Sequence, residues 1–280
     1  MKLYNSGTLK AFLKKHGIAT SKGLGQHFLC SQAAVEAIVA EFVAFCGVCE
    51  IGPGPGVLTS PISIQCAQVI ALEVDTSMVG ALKDSSPKAD VRTIDALQAD
   101  LASILCELPE PRGIVSNLPY YITGPLINRI ADVRQHFEVA VLMMQREVAY
   151  RILAKPGNRD RGSLSVYLQS VFDISLVIHV PARDFMPPPK VDSTVLRFVP
   201  KPLNLDEESA KFFFKTVRMG FAQPRKTLAN NLMAGFHIDR EQAADIVERA
   251  NLEEKIRPHD MSQTEWLNVS TILRETISGA

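Results

Sequence analysis

The chain has 280 residues, 46% of them apolar, and 30 basic residues balance 30 acidic ones. That length suits one large domain with a sizeable core plus a small one, and the composition excludes a disordered chain. No apolar run reaches the eighteen or so residues needed to cross a bilayer, so no membrane partner is expected. Lys2 and Lys10 precede no apolar core with a small-residue cleavage site, so no signal peptide is read and a cytoplasmic location is expected.

Zero net charge hides an uneven distribution. Lys2, Lys10, Lys14, Lys15 and Lys22 all precede the first acid, Glu36, and give residues 1–30 a basic character. A second acid-free stretch holds Lys211, Lys215, Arg218, Arg225 and Lys226, and a third cluster holds Arg146, Arg151, Lys155, Arg159 and Arg161. Such zones form either a phosphate-binding face or ordinary solvated helix faces. The five cysteines, Cys30, Cys46, Cys49, Cys66 and Cys106, suit reduced thiols. Cys46 and Cys49 have redox or zinc spacing, but no second pair or suitably spaced His accompanies them; a structural role and no metal are expected.

In chain order, Ser31 can cap a helix whose apolar face is Val35, Ile38, Val39, Phe42 and Val43. A strand over Val48–Ile51 leads into a Gly/Pro-rich loop and another helix. Strands follow over Val69–Leu72, Val91–Ile94, Gly113–Ser116 and Val139–Met144. Helices are expected over Thr76–Lys83 and Leu97–Cys106, and one with Pro125 in its first turn. Strands alternating with helices imply parallel pairing and a doubly wound α/β sheet. Ile174–Val180 and Thr194–Val199 read as two strands joined by a Pro-rich loop, an antiparallel hairpin at the sheet edge. From Asp206 the pattern is helical, behind a boundary marked by Pro202 and Asn204. The expected division is an α/β domain over 1–203 and a helical domain over 204–280.

The run Glu50-Ile51-Gly52-Pro53-Gly54-Pro55-Gly56 joins a strand to a helix, where open α/β sheets bind ligands. Its glycines let the backbone turn sharply and approach a ligand. A dinucleotide fingerprint requires a third glycine where this chain has Val57, which weakens a nicotinamide reading. Glu73, at the end of the next strand, can accept both hydroxyls of a ribose. Asp95, after the strand that follows, can receive an adenine amino group.

The sharpest signal is Asn117-Leu118-Pro119-Tyr120, after the fourth strand. The N6 nitrogen of adenine is a poor nucleophile because its lone pair is delocalised into the ring. The Asn117 side-chain oxygen and the Leu118 or Pro119 backbone carbonyl can each accept one N6 hydrogen. That favours a pyramidal nitrogen aimed at a methyl donor, through orientation and electrostatic preorganisation. Tyr120 can stack on a base drawn out of its helix. Phe185, in a Pro-rich loop, offers a rigid aromatic for a single-stranded base or else fills a hydrophobic gap.

Together these motifs resemble the KsgA-type small-subunit ribosomal RNA adenine dimethyltransferases, over nearly the whole chain. Lys22 to Leu29 resembles the family's N-terminal cofactor motif, Glu50 to Thr59 its glycine motif, and Asn117 to Tyr121 its catalytic motif. Phe185 to Ser193 resembles its late loop and Phe221 to Leu228 a C-terminal helix motif, where Pro224 replaces a usual basic residue. The resemblance implies a Rossmann-like class I S-adenosylmethionine-dependent methyltransferase sheet with a small α-helical C-terminal domain. It implies S-adenosylmethionine as methyl donor, leaving as S-adenosylhomocysteine, held by His27, Leu29, Gly52, Gly54, Glu73, Asp95 and Asn117. The base site would be Asn117, Leu118, Pro119, Tyr120 and Phe185, and the RNA contacts Lys211, Lys215, Arg218, Arg225 and Lys226. The implied reaction is dimethylation of two adjacent adenosines in a 3′-terminal hairpin loop of 16S RNA, within an assembling 30S particle. A monomer is expected, since no long apolar seam is visible. The alternatives are a large-subunit adenine methyltransferase of the antibiotic-resistance type, a DNA adenine methyltransferase, and a non-catalytic assembly factor on the same fold.

Overall fold

The structure, a computed structural model, describes residues 2–18 and 26–278. The chain divides into two compact units: Met1–Ala149 with Asp173–Pro200, and Tyr150–Phe172 with Lys201–Ala280.

The first unit opens with α1 (Ser6–Lys15), capped by the Asn5 side chain on the Gly7 and Thr8 amides. A two-residue strand β1 (Phe28–Leu29) and α2 (Gln32–Ala40) follow. The βα alternation is β2 (Gly47–Ile51), α3 (Thr59–Gln65), β3 (Gln68–Glu73), α4 (Thr76–Ser85), β4 (Asp90–Thr93), α5 (Leu101–Cys106), β5 (Arg112–Asn117), α6 (Thr123–Asp132) and β6 (Val139–Gln145). Then come α7 (Arg146–Leu153), α8 (Ser163–Val171), β7 (Phe172–Val180), β8 (Phe185–Met186) and β9 (Ser193–Pro200).

Seven strands form one sheet in the order β4-β3-β2-β5-β6-β9-β7. The pairs among β2 to β6 are parallel, and β6 with β9 is antiparallel. Every residue of β2 is buried, as a parallel strand covered on both faces demands. The chain builds outward from β2 through β3 to β4, then returns to place β5 on the other side of β2. This reversal makes the carboxyl ends of β2 and β5 the topological switch point, where a doubly wound sheet leaves a crevice. The α/β class, the parallel strands and the edge pair β9-β7 agree with the sequence expectation.

A separate antiparallel pair, β1 with β8, sets Phe28 opposite Met186 and Leu29 opposite Phe185. These residues join Ile38, Phe42, Val115, Val141 and Met143 in one hydrophobic core.

The second unit gathers α8 with α9 (Glu207–Gly220), α10 (Leu228–Phe236), α11 (Arg240–Arg249) and α12 (Gln263–Ser278). Its core holds Val166, Phe213, Val217, Leu232, Ile246, Trp266 and Leu273, with Phe221 stacked on Trp266 at 5.5 Å between ring centroids. Asp206 caps α9 on the Ser209 amide; Glu207 and Glu208 in the first turn and Arg218 in the last suit the helix dipole.

Several expectations are corrected. Residues 150–172 cluster with the C-terminal helices rather than with the sheet, because Val166 packs into the Phe213–Trp266 core. Ser31 occupies the N-cap of α2 but makes no capping hydrogen bond, and α2 ends at Ala40, leaving Val43 71% exposed. The helix expected over Leu97–Cys106 begins only at Leu101, where Asp100 caps it on the Ser103 amide. Cys46 and Cys49 are free thiols, in agreement with the reduced, structural reading, and burial pushes the Cys49 thiol up to about 12. Among the described residues, no helix is long and apolar enough to cross a membrane.

Candidate active site

The glycine loop after β2 and the Asn117 loop after β5 meet at the switch point and line one cavity with Gln26, His27, Phe28, Leu29, Glu50, Glu73 and Asp75. Gly54 adopts φ +56°, and a Cβ there would lie 3.0 Å from the Phe28 ring. That bare backbone lets the Gly54 amide donate to Glu73 Oε2 at 2.9 Å, while the Asp75 amide donates to Oε1 at 2.8 Å. The Glu73 carboxylate is thus held broadside at the end of β3, and each oxygen keeps a lone pair for a ligand hydroxyl. Gly56 answers a different need: a Cβ there would fall 2.2 Å from Ser85 Oγ on α4.

Asn117 lies at the end of β5 and donates its side-chain Nδ2 to the His27 carbonyl at 3.0 Å. A carbonyl only accepts, so the amide nitrogen must face His27, and Oδ1 is the end left for a ligand. His27 is fixed in turn, with Nδ1 2.7 Å from the Pro187 carbonyl, which obliges Nδ1 to carry the proton. Its ring stacks on Tyr120 at 5.8 Å and 25°. The Tyr120 hydroxyl meets Ser193 Oγ at 2.8 Å, and burial raises its pKa, so it stays protonated.

Pro119 enters a 3₁₀ turn over Tyr120–Ile122, and its carbonyl accepts from the Ile122 amide and from Thr123 Oγ1, each at 3.1 Å. Two acceptor sites are therefore used on Pro119. Of the two backbone carbonyls that the sequence leaves open, Leu118's is the freer for an amino group.

A family model of ribosomal RNA adenine dimethylases matches residues 19–274. The chain belongs to that family. It is 35% identical to the ribosomal RNA small subunit methyltransferase A of Lactobacillus acidophilus, covering 93% of this chain and 94% of that one. It is 36% identical to the protein of the same name from Geobacillus kaustophilus, covering 95% of each. Its fold matches a dimethyladenosine transferase from Plasmodium falciparum, with TM-score 0.75 and 24% identity over 89% of this chain and 98% of that one. It also matches the 23S rRNA methyltransferase ErmE, with TM-score 0.67 and 24% identity over 88% and 99%. The enzyme class read from the motifs, an rRNA adenine dimethyltransferase, and the class I methyltransferase fold are those of this family.

The structure brings His27, Leu29, Gly52, Gly54, Glu73, Asn117, Leu118, Pro119 and Tyr120 to the one cavity. It does not bring Asp95 or Phe185. The Asp95 carboxylate, two residues beyond β4, accepts the Leu97 amide at 2.9 Å and Gln98 Nε2 at 3.3 Å in a local turn, outside the cavity lining. Phe185 is 3% exposed, pinned opposite Leu29 by the β1–β8 pair. A ring so enclosed has no face to offer a base, and its place is in the core. Lys22, Gly23, Leu24 and Gly25 of the N-terminal motif lie outside the described residues.

Lys211, Lys215, Arg218, Arg225 and Lys226 are all exposed and belong to the second unit. Lys211, Lys215 and Arg218 share one face of α9; Lys211 pairs with Glu207 at 2.5 Å, and Lys215 sits 5.2 Å from the Phe236 ring centre. Pro224 is exposed in the turn before α10, whose N-cap is Thr227, rather than at the helix start. Arg161, read as part of a basic surface, is 4% exposed and donates to the Met261 carbonyl, so it is a buried tie. Arg146 is likewise occupied, by Asp192 at 3.0 Å.

Glu50 opens the glycine run and has no site role in the sequence reading. It is 2% exposed, lines the cavity near the Thr59 hydroxyl, and its Oε2 has no partner within hydrogen-bond distance among the described residues. Burial pushes its carboxyl up to about 8. A carboxylate inside an otherwise apolar strand, just before a glycine loop, was the available signal. In the unfolded chain this group ionises near 4.5, so the folded state holds the proton over the window between the two values. Its contribution to stability is full below the ordinary carboxylate range and is lost as pH climbs through about 8. Glu50→Gln is expected to flatten the fall in urea-unfolding free energy between about pH 5 and 8; profiles parallel to the wild type would contradict this.

Proposed function

We propose that this chain transfers methyl groups from S-adenosylmethionine to the N6 nitrogens of two adjacent adenosines in small-subunit ribosomal RNA, within an assembling particle. The observation that carries the reading is the convergence, at one switch-point cavity, of Asn117 anchored through its amide nitrogen and Glu73 anchored through two backbone amides. The names of the relatives, at 35–36% identity over nearly the whole chain, favour the small-subunit substrate over the large-subunit one.

The residues fit the donor. Glu73 has free lone pairs for the two ribose hydroxyls, the glycine loop leaves backbone space, and Glu50 supplies a buried unpaired oxygen in the same wall. His27 and Leu29 complete the wall; Asp95 would have to leave its local turn to reach an adenine. The bound donor supplies an electrophilic methyl carbon on a sulfonium. In the first transfer Asn117 Oδ1 and the Leu118 carbonyl each accept one N6 hydrogen, and in the second one of them accepts the single hydrogen that remains, which holds the nitrogen lone pair toward that carbon. Each transfer forms an N–C bond as the C–S bond breaks and releases one N6 proton to water. Tyr120, braced by Ser193 and His27, walls the base. Asn117 is neutral, so the acceptor costs no buried charge.

Purified protein with labelled donor should methylate under-methylated small subunits and yield N6,N6-dimethyladenosine on mass spectrometry. Methylation of large-subunit RNA or duplex DNA instead would replace this reading. The exposed cations of the second unit are assigned to the RNA phosphates on the same reading. Lys215→Glu with Arg218→Glu should weaken particle binding and lower the slope of log affinity against log salt by roughly one per lost phosphate contact. An unchanged slope removes that helix face from the RNA interface.

A further inference from the structure

Tyr121 follows the four residues assigned to the base site, and its surroundings differ from theirs. It lines the same cavity but is 63% exposed, the most open aromatic in that wall. Phe28 is buried in the core, and Tyr120 has its hydroxyl on Ser193 and its ring against His27. The Tyr121 side chain has no hydrogen bond or ring contact among the described residues. Its backbone is nevertheless well fixed, because the Pro119 carbonyl gathers the Ile122 amide and the Thr123 hydroxyl around it. A ring on a rigid turn, at the mouth of a site and bare of partners, is a stacking platform presented at low conformational cost.

We propose that Tyr121 is a positioning residue that stacks on the nucleobase next to the adenine undergoing methylation. The inference rests on the assignment of an RNA adenine to the Asn117 pocket. Drawing one base out of a single-stranded loop deprives its neighbour of a stacking partner, and an aromatic face at the rim replaces it. Tyr121 sits on the Asn117 side of the cavity, within the same turn as Tyr120; the ribose-binding Glu73 comes from β3. The ring is therefore assigned to the RNA rather than to the methyl donor. Where two adjacent adenosines are both substrates, the same platform holds whichever of them waits outside.

The test is steady-state methylation by Tyr121→Ala, Tyr121→Leu and Tyr121→Phe, on whichever RNA or particle the wild type methylates. A failure of the small-subunit assignment then leaves this measurement intact. Tyr121→Ala and Tyr121→Leu should raise the KM for RNA about tenfold or more, with kcat changed far less and the Kd for the methyl donor unchanged. Tyr121→Phe, which keeps the stacking face, should restore the wild-type KM. Leu keeps apolar bulk at an exposed position, so misfolding does not confound the series. An unchanged KM in Tyr121→Ala, a loss confined to donor binding, or no rescue by Phe would each overturn the proposal.

Discussion

Replacing Asn117 with alanine should lower kcat by about a hundred- to a thousandfold while changing the Kd for the methyl donor far less. The figure is that of removing one preorganised polar group aimed at charge that develops in a transition state. The side chain does two things at once on this reading: its nitrogen ties β5 to the His27 carbonyl, and its oxygen is left as an acceptor on a residue that lines the cavity. Alanine removes both, so stability must be measured alongside turnover. Asn117→Asp separates them, because it restores an acceptor while losing the donor to His27. If turnover depends on the acceptor alone, Asp recovers part of the activity. If the tie to His27 sets the orientation, Asp remains as impaired as Ala. Undiminished methylation by a folded, donor-binding Asn117→Ala would remove Asn117 from the chemistry.

Glu73→Ala should weaken donor binding by about a hundredfold or more, since it removes two hydrogen bonds to the ribose hydroxyls, each worth roughly 1.5–3 kcal/mol when the acceptor is charged. It should also destabilise the fold by about 2–4 kcal/mol, because the Gly54 and Asp75 amides lose their acceptor. Glu73→Gln keeps one amide oxygen and should fall between the two in both respects. Donor titration by calorimetry and urea unfolding on the same preparations read the two effects separately. A Glu73→Ala protein that binds the donor normally would mean that the ribose sits elsewhere.

The central sheet and the site loops were legible because they rest on local order. Alternating strands and helices dictate parallel pairing, and once β2 and β5 are placed, residues at their carboxyl ends fall at the crevice. Glu73 and Asn117 end their strands, β3 and β5, where position along the chain puts them, and both line the cavity. Phe185 could not, because its place depends on a pair of two-residue strands, and two residues carry no readable period. Residues 150–172 cluster differently from the sequence expectation for a related reason. They lie between β6 and β7 in sequence, and only the long-range packing of Val166 with Phe213 and Trp266 assigns α8 to the other unit. Arg161 departs from both surface readings because counting charges along a chain says nothing of which one turns inward toward Met261. Asp95 depended on where β4 stops, and it stops at Thr93, short enough for the carboxylate to close its own turn.

A crystal structure with S-adenosylhomocysteine tests the central claim most directly. The ribose hydroxyls should lie within about 3 Å of the Glu73 carboxylate oxygens, and Asn117 Oδ1 should face the sulfur across the space left for an adenine. A ribose held away from Glu73, or an Asn117 oxygen turned from the sulfur, would contradict the account.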